Sequence, residues 1–156
     1  MLPIKKIICP TDFSEPSYVG LKGANELAEQ FSAELLLVHV VSPFHFYSSP
    51  EGAAGFNLSK YLEEMVHAAQ KSLDELAKNR ISPNLAVRTV VLQGNPADQI
   101  VHLASSEGAD IIVTATHGWT GWRRFIFGSV AERVVRLARC PVLTVPAPQE
   151  QEQDSN

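Results

Sequence analysis

Strand-like and helix-like stretches alternate five times along this chain of 156 residues, and that alternation restricts its fold more than any other feature. Short apolar runs predict four strands, at residues 4–9, 35–41, 109–114 and 140–145, and an alternating pattern predicts a further strand at 85–92. Apolar residues at helical spacing predict four helices, at 15–31, 59–81, 96–104 and 129–139. Strands that alternate with helices form a parallel sheet covered on both faces. The sequence therefore predicts an α/β fold with one doubly wound, five-stranded parallel sheet of Rossmann-like type, whose strand order stays open.

The predicted domain extends over residues 1–146, with no second domain boundary. Residues 147–156 are polar and lack periodicity, so we expect a disordered tail. Residues 42–57 mix turn formers with aromatic side chains, which is typical of a functional or mobile loop.

Charge and cysteine content restrict the partners and the compartment. A formal net charge of -4 disfavours binding to nucleic acid or to an anionic membrane. No apolar stretch approaches the roughly 18 to 20 residues of a membrane helix, and we expect no secretory signal. Cys9 and Cys140 both lie in apolar runs, which predicts free, buried thiols and a cytoplasmic protein.

The first candidate site loop follows the first strand and comprises Pro10, Thr11, Asp12, Phe13 and Ser14. Because ligands of such sheets bind beyond the carboxyl ends of strands, Asp12 could accept ribose hydroxyls or contact a magnesium ion. The alternative is that Asp12 only caps the following helix or stabilises a turn.

The second candidate loop, residues 115–129, runs from the end of an apolar strand to the start of a helix. Its glycines allow backbone N–H groups to approach an anion, and the helix that begins at Gly128 and Ser129 offers a partial positive charge. Arg123 and Arg124 add two positive charges. The loop matches neither a P-loop nor the dinucleotide fingerprint. Its composition predicts a phosphate cradle, with a structural turn and a capped helix as the alternative.

Several short motifs together resemble the universal stress protein family. The run Pro10–Ser14 resembles the amino-terminal signature of that family, and Leu37–Val40 resembles its second strand. Its carboxyl-terminal signature is resembled by three successive segments: Thr116-His117-Gly118, Gly128–Glu132 and Cys140–Leu143. The match extends from about Ile4 to Val145, nearly the whole chain, and implies an adenine nucleotide α-hydrolase-like fold.

The ATP-binding branch of that family carries a Gly-x-x-Gly-x9-Gly-Ser/Thr loop, which here reads Ala115, Gly118, Gly128 and Ser129. The first glycine is replaced by Ala115, whose methyl group either crowds the phosphates, if a positive φ is needed, or is tolerated. Trp119 stands where many relatives carry a basic residue. The resemblance implies ATP binding with Mg²⁺. It implies that the adenosine is lined by Pro10, Thr11 and Asp12, and that Val40 presents backbone groups to adenine. It also implies that Thr114 and Ala115 lie beneath the ribose and phosphates. The phosphates would be held by Gly118, Gly128, Ser129 and Val130.

No catalytic constellation stands out in the sequence, so we predict that the protein is not an enzyme. His45, His67 and His102 lack metal-ligand spacing, so no metal site is predicted. His39 is expected to pack within or at the end of its strand. His117 is a candidate phosphate contact or a turn-stabilising residue.

Three functional hypotheses follow from these features. In the first, an ATP-binding regulatory module of the stress response signals its occupancy to an unknown protein partner. In the second, favoured by Ala115 and Trp119, a stress protein of the same fold acts without nucleotide. The third, an enzyme of the wider adenine nucleotide α-hydrolase-like group, is disfavoured because a general base and a substrate domain are missing. The resemblance also implies a homodimer joined through the last strand, Cys140 to Val145.

Overall fold

The computed structural model describes residues 3–42, 57–116 and 128–146. Five strands and four helices alternate within these ranges: β1 (Lys6–Pro10), α1 (Glu15–Phe31), β2 (Glu34–Val41), α2 (Leu58–Arg80), β3 (Val87–Gln93), α3 (Pro96–Ser106), β4 (Ile111–Ala115), α4 (Ser129–Leu137) and β5 (Val142–Val145). The predicted α/β class is therefore confirmed. The predictions for residues 43–56 of the long loop, for residues 117–127 and for the tail lie outside the described residues.

The sheet is parallel throughout and has the strand order β3-β2-β1-β4-β5. In the central strand β1, Ile7 pairs with Leu35 of β2 on one side and with Ile111 of β4 on the other. The chain adds strands outward from β1 to β3 and then crosses back to add β4 and β5. The order thus reverses between β1 and β4, which is where ligands bind in doubly wound sheets.

Two apolar cores lie on opposite faces of this sheet, because successive residues of a strand point to opposite sides. Ile7 and Cys9 are fully buried in the core beneath α1 and α2. Ile8, between them, is fully buried in the core beneath α3 and α4. This two-sided burial explains why the strands read as nearly continuous apolar runs rather than as alternating ones.

Side chains of the preceding residues cap the first three helices. Ser14 accepts a hydrogen bond from the backbone of Ser17, Asn57 from Lys60, and Asn95 from Asp98. Helix α4 differs, because its N-cap residue is Gly128, and among the described residues no side chain caps its first amide groups. The amino terminus of α4 therefore differs from the others in having no side-chain acceptor of its own.

Four strands, β1, β3, β4 and β5, begin two residues later than the sequence predicts. For β3 and β4, the preceding turns use the backbone groups of the first predicted residue. Leu85 donates its N–H to the Ser82 carbonyl at 3.1 Å, so β3 begins at Val87. Ala109 donates to the Ala104 carbonyl at 2.9 Å, which ends α3, so β4 begins at Ile111. The remaining boundaries differ from the prediction by three residues or fewer, which leaves the architecture unchanged.

Gly20 brings helix α1 unusually close to the carboxyl end of β4. A Cβ atom at this position would lie 2.8 Å from the Ala115 nitrogen and 3.1 Å from the Thr114 carbonyl carbon. Both are backbone atoms of a buried strand, so they cannot move aside as a flexible side chain would. The absence of a side chain at Gly20 thus determines how closely α1 packs beneath the two predicted site residues of β4.

Candidate functional site

A cavity opens at the carboxyl ends of β1, β2 and β4, where the strand order reverses, and the first turns of α3 and α4 contribute to its walls. The predicted nucleotide-site residues in the described part of the chain all line it: Pro10, Thr11, Asp12, Val40, Thr114, Ala115, Gly128, Ser129 and Val130. Gly118 lies outside the described residues, as do His117, Trp119 and the two loop arginines. Predicted site residues that are up to 120 positions apart in the chain, from Pro10 to Val130, thus lie around one cavity.

Directed hydrogen bonds between hydroxyl groups hold the loop after β1. Ser17 Oγ donates to the Ser14 carbonyl at 2.7 Å, and it lies 2.9 Å from Thr11 Oγ1. Because the carbonyl can only accept, the hydrogen of Ser17 is committed, and Thr11 must donate to Ser17. Thr11 Oγ1 in turn accepts the N–H of Phe13 at 3.1 Å. The loop is thereby tied to the first turn of α1.

Asp12 is exposed at the cavity and also has a structural role. Its Oδ1 atom accepts the backbone N–H of Ser14 at 3.0 Å and the Ser14 hydroxyl. The turn-stabilising alternative considered from the sequence is therefore present in the structure. A carboxylate with two oxygens accepts several hydrogen bonds, so this role is compatible with a ligand contact by the same side chain.

His39 lies just beyond the last β1–β2 pair and contacts the same loop. Its Nδ1 atom is 2.8 Å from the Thr11 carbonyl oxygen. Its ring lies 4.6 Å from the Phe13 ring, centroid to centroid, at an interplanar angle of 35°. Phe13 adopts a φ of 63°, an uncommon conformation for a residue with a side chain. The prediction that His39 packs at the end of its strand is confirmed, with a specific hydrogen bond that sequence reasoning missed.

The opposite wall of the cavity joins β4 to α4. Thr114 and Ala115 are buried at the end of β4, and the Thr116 carbonyl accepts the N–H of Gly128 at 2.6 Å. Ala115 is not among the described residues with positive φ. Its backbone conformation therefore does not require glycine, and one reason to expect a defective phosphate loop is removed.

A bidentate ion pair connects the helices whose first turns border the cavity. Arg133 of α4 donates to both carboxylate oxygens of Asp98 in the first turn of α3, at 3.0 and 3.1 Å. Both side chains are about half exposed, so the pair contributes little net stability. It does, however, restrain the position of α4 relative to α3.

Some cavity residues were not predicted from the sequence. Ser17, Val38, His39, Pro96, Ile100, Thr116 and Ala131 also line the cavity. A usable signal existed for Pro96, because Asn95-Pro96 opens a helix directly after β3 and therefore lies at the same end of the sheet. Ile100, one helical turn further on, follows from that placement.

The described residues contain no group of three or more His, Cys, Asp or Glu side chains that could hold a metal ion. Both thiols are free, and burial raises the pKa of Cys9 to about 12 and also raises the pKa of Cys140. Since the thiolate is the nucleophile, neither thiol has the chemistry of a catalytic cysteine. None of the helices within the described ranges has the length and apolar character needed to cross a bilayer.

Fold and cavity together define a doubly wound α/β domain of the class that binds ligands at a switch point of the sheet. A model of the universal stress protein family matches residues 3–146. Universal stress protein MJ0531 of Methanocaldococcus jannaschii is 37% identical over 147 residues, covering 94% of this chain and 85% of the relative. Universal stress protein MJ0577 of the same organism is 33% identical over 154 residues, covering 90% of this chain and 94% of the relative. This chain belongs to the universal stress protein family.

Solved structures agree with this assignment at the level of the fold. The structure of MJ0577 superposes with a TM-score of 0.81 at 28% identity, covering 94% of this chain and 99% of the other. Universal stress protein UspA from Lactobacillus plantarum superposes with a TM-score of 0.74 at 21% identity, covering 91% and 97%. The fold is thus shared over nearly the full length of each of these two proteins.

Proposed function

We propose that this stress protein binds an adenine nucleotide, ATP with Mg²⁺, and that occupancy of the cavity regulates its contact with a signalling protein. One observation carries the proposal. The cavity at the switch point has the Asp12 loop on one wall and, on another, the amino terminus of α4, whose N-cap residue Gly128 has no side chain. A carboxylate suits ribose hydroxyls or a cation, and free helix amides suit phosphate.

Related proteins support a nucleotide ligand. A universal stress protein in complex with cAMP shares the fold with a TM-score of 0.66 at 21% identity. The universal stress protein of Archaeoglobus fulgidus in complex with dAMP shares it with a TM-score of 0.56, also at 21%. These proteins indicate that the fold accommodates adenine nucleotides. The cavity residues named above are what would extend that property to this chain.

The described residues fit magnesium only as a companion of the nucleotide. Mg²⁺ keeps several waters and is usually held by one or two carboxylates together with substrate phosphates. Asp12 is the carboxylate that lines the cavity, and Ser129 adds a hydroxyl. When bound, the metal would neutralise phosphate charge beside the amino terminus of α4. We expect no metal binding in the absence of nucleotide.

The regulatory role is proposed without catalysis. Cys9 and Cys140 are protonated thiols at neutral pH, and His39 is engaged with a carbonyl of the loop. Neither observation suggests a nucleophile activated by a base. The nucleotide-free alternative keeps its two supporting sequence features, Ala115 and Trp119, although the backbone conformation of Ala115 does not require glycine.

The test is to identify what the purified protein carries and binds. Small molecules released by denaturation are identified by mass spectrometry, and Mg-ATP, ADP and AMP are titrated by calorimetry. We expect saturable binding that weakens from ATP to AMP, as fewer phosphates reach Gly128 and Ser129. No released nucleotide together with no heat of binding would favour the nucleotide-free alternative.

The proposed partner surface includes a second copy of the chain at β5. This edge strand pairs only with β4 within the described sheet, and its Leu143 side chain is 41% exposed. Val135 and Leu137 on α4 are also exposed apolar residues. Apolar edge strands favour pairing with another chain. The proposal is a twofold-symmetric homodimer joined through residues 140–145.

Light scattering of a Leu143→Glu variant tests the dimer. We expect the wild type to be dimeric at micromolar concentration and the variant to approach the chain mass of 17.1 kDa, because a charge on the edge opposes pairing. Gln93→Glu introduces a charge on the opposite edge strand and should leave the dimer intact. A monomeric wild type, or dissociation by both substitutions, would contradict the proposal.

A further inference from the structure

We infer that His39 is a positioning residue, which ends the β1–β2 ladder and thereby leaves the backbone of Val40 for the adenine base. The inference rests on the proposed nucleotide site, and it adds a residue with a defined role to that site. Three observations carry it: the hydrogen bond of His39, the register of the sheet, and the conformation of Phe13.

The first observation is the direction of the His39 hydrogen bond. Nδ1 lies 2.8 Å from the Thr11 oxygen, which is a backbone carbonyl and can only accept. Nδ1 therefore carries a proton and donates it. Thr11 lines the cavity just after the end of β1. Its carbonyl is held by a side chain of β2 rather than by the backbone of that strand.

The second observation is where the ladder stops. The Thr11 N–H still donates to the Val38 carbonyl at 2.8 Å, as in a regular parallel ladder. The next bond of that ladder would run from the Val40 N–H to the Thr11 carbonyl. The pairing instead ends at Pro10 and Val38, so this bond is not formed. The Thr11 carbonyl is contacted instead by the imidazole of His39, at 2.8 Å.

The direction of the Val40 groups follows from the alternation of β2. Glu34 donates its N–H to Lys5 ahead of β1, whereas Leu35 donates to Ala86 on the β3 side. Even-numbered residues of β2 therefore direct N–H and C=O towards β1, and Val40 does so where β1 has already ended. In the described ranges, no backbone acceptor takes the Val40 N–H. Val40 lines the cavity. We therefore expect its adjacent N–H and C=O groups to be available to a ligand there.

This pair of groups matches one base. A backbone N–H can donate to N1 of adenine, and the adjacent C=O can accept from the N6 amino group. Hypoxanthine presents the reverse pattern, with a donor at N1 and an acceptor at O6. His39 would thus support selection for adenine without contacting the base through its own hydrogen bond.

The third observation is that His39 also supports Phe13. Residues with side chains rarely adopt the left-handed φ of 63° found at Phe13. The Phe13 ring packs on the imidazole, with centroids 4.6 Å apart, and the Phe13 N–H donates to Thr11 Oγ1. These contacts offset the local strain, and the conformation they maintain directs the chain from Asp12 into the cap of α1.

The experiment compares His39→Leu with His39→Asn, in nucleotide-free and ATP-bound protein. Leucine removes the donor, so the Thr11 carbonyl loses its side-chain partner, and we expect the Val40 amide to take its place. Asparagine can place an amide nitrogen near the Nδ1 position and should retain the bond. His102→Leu, on the exposed side of α3, is the matched control.

Hydrogen exchange of the Val40 amide gives the decisive readout. If the ladder extends by one pair in His39→Leu, this amide exchanges more slowly than in the wild type. A substitution that only loosens the structure would make it exchange faster. His39→Asn and His102→Leu should keep the wild-type rate. Faster exchange, or no change, in His39→Leu would overturn the inference.

Nucleotide selectivity gives the functional readout. We expect His39→Leu to bind ATP about tenfold more weakly, as for the loss of roughly one hydrogen bond, and to lose its preference for ATP over inosine triphosphate. Unchanged selectivity with intact ATP binding would refute the link to adenine. If the wild type binds no adenine nucleotide while the exchange rates change as expected, the proposed function fails but the ladder-ending role of His39 stands.

Discussion

The two ends of the sheet use polar groups in opposite ways. At the amino end, Lys6, Glu34, Arg88 and Glu107 form one network of ion pairs that joins β1, β2 and β3 to the end of α3. At the carboxyl end, hydroxyls, one carboxylate and an imidazole arrange backbone groups around a cavity. Charged side chains thus pair with one another at the amino end, whereas at the carboxyl end, in the function proposed above, backbone groups are left for a ligand.

At the amino end of the sheet, each of these charged side chains lies close to an oppositely charged one. Lys6 Nζ lies 3.0 Å from Glu107 Oε2 and 3.7 Å from Glu34 Oε2, and Arg88 contacts the same two carboxylates. Asp110 Oδ2 accepts the backbone N–H groups of Lys5 and Lys6 at 2.8 and 2.9 Å. These groups fasten the start of β1 to its neighbours and face no cavity residue.

The sharpest way to separate the two ends is to remove one carboxylate from each. Asp12→Ala should weaken ATP binding by about 1.5 to 3 kcal/mol, as for the loss of a hydrogen bond to a charged group. Glu107→Gln should leave affinity unchanged and lower stability instead. Calorimetry and urea unfolding of both variants measure the two effects. Equal affinity of Asp12→Ala and the wild type would remove Asp12 from the site.

A second test concerns the packing that supports the carboxyl end. Gly20→Ala should lower the free energy of unfolding by about 1 to 3 kcal/mol, because its Cβ meets the Ala115 backbone at 2.8 Å. Gly23→Ala, in the same helix, meets only side-chain methyl groups, of Val145 at 3.2 Å and of Val113 at 4.0 Å, and should be better tolerated. Chemical denaturation compares the two variants. A Gly20→Ala variant as stable as Gly23→Ala would show that α1 and β4 can move apart.

The smallest expected effect is a pH dependence that belongs to the amino end. Arg88 and then Lys6 hydrogen-bond Glu107 and hold its pKa below the ordinary value of 4.5. Backbone N–H groups of Lys5 and Lys6 hold the pKa of Asp110 below 3.8. The unfolded chain therefore binds protons that the folded chain does not. This stability is fully present above pH 4.5 and is lost as the pH falls through the lowered pKa values.

Urea unfolding at a series of pH values from neutral to acid checks this dependence. Glu107→Gln should lose stability less steeply than the wild type below pH 4.5, because one of the two carboxylates no longer titrates. Asp98→Asn provides the comparison, since Asp98 lies on the cavity side and pairs with Arg133 in an exposed position. If Asp98→Asn rather than Glu107→Gln made the loss of stability below pH 4.5 less steep, the pH dependence would not belong to the amino end of the sheet.

Local patterns were sufficient to predict the elements and much of the cavity wall. Apolar runs at helical or strand spacing identified all five strands and four helices, and Ser14 and Asn95 were recognisable as helix starts. Cavity residues were predictable because each follows the carboxyl end of a strand, and parallel strands end at the same edge.

Contacts between distant segments could not be predicted, because they depend on the strand order that the sequence left open. His39 reaches Thr11 across 28 positions, and Lys6 reaches Glu107 across 101. The close approach of Gly20 to β4 likewise requires β4 to lie beside β1. An isolated glycine in a helical pattern carries no sign of which strand it will meet.

Burial of Cys9 has a kinetic consequence. Its thiol is inaccessible in the folded domain, and with a pKa of about 12 it is almost entirely protonated at neutral pH. Oxidants and alkylating reagents attack the exposed thiolate, so they react with Cys9 only when the sheet opens. The rate at which Cys9 is labelled therefore measures opening of the central strand, and a ligand that stabilises the folded state should slow the labelling in proportion to its occupancy.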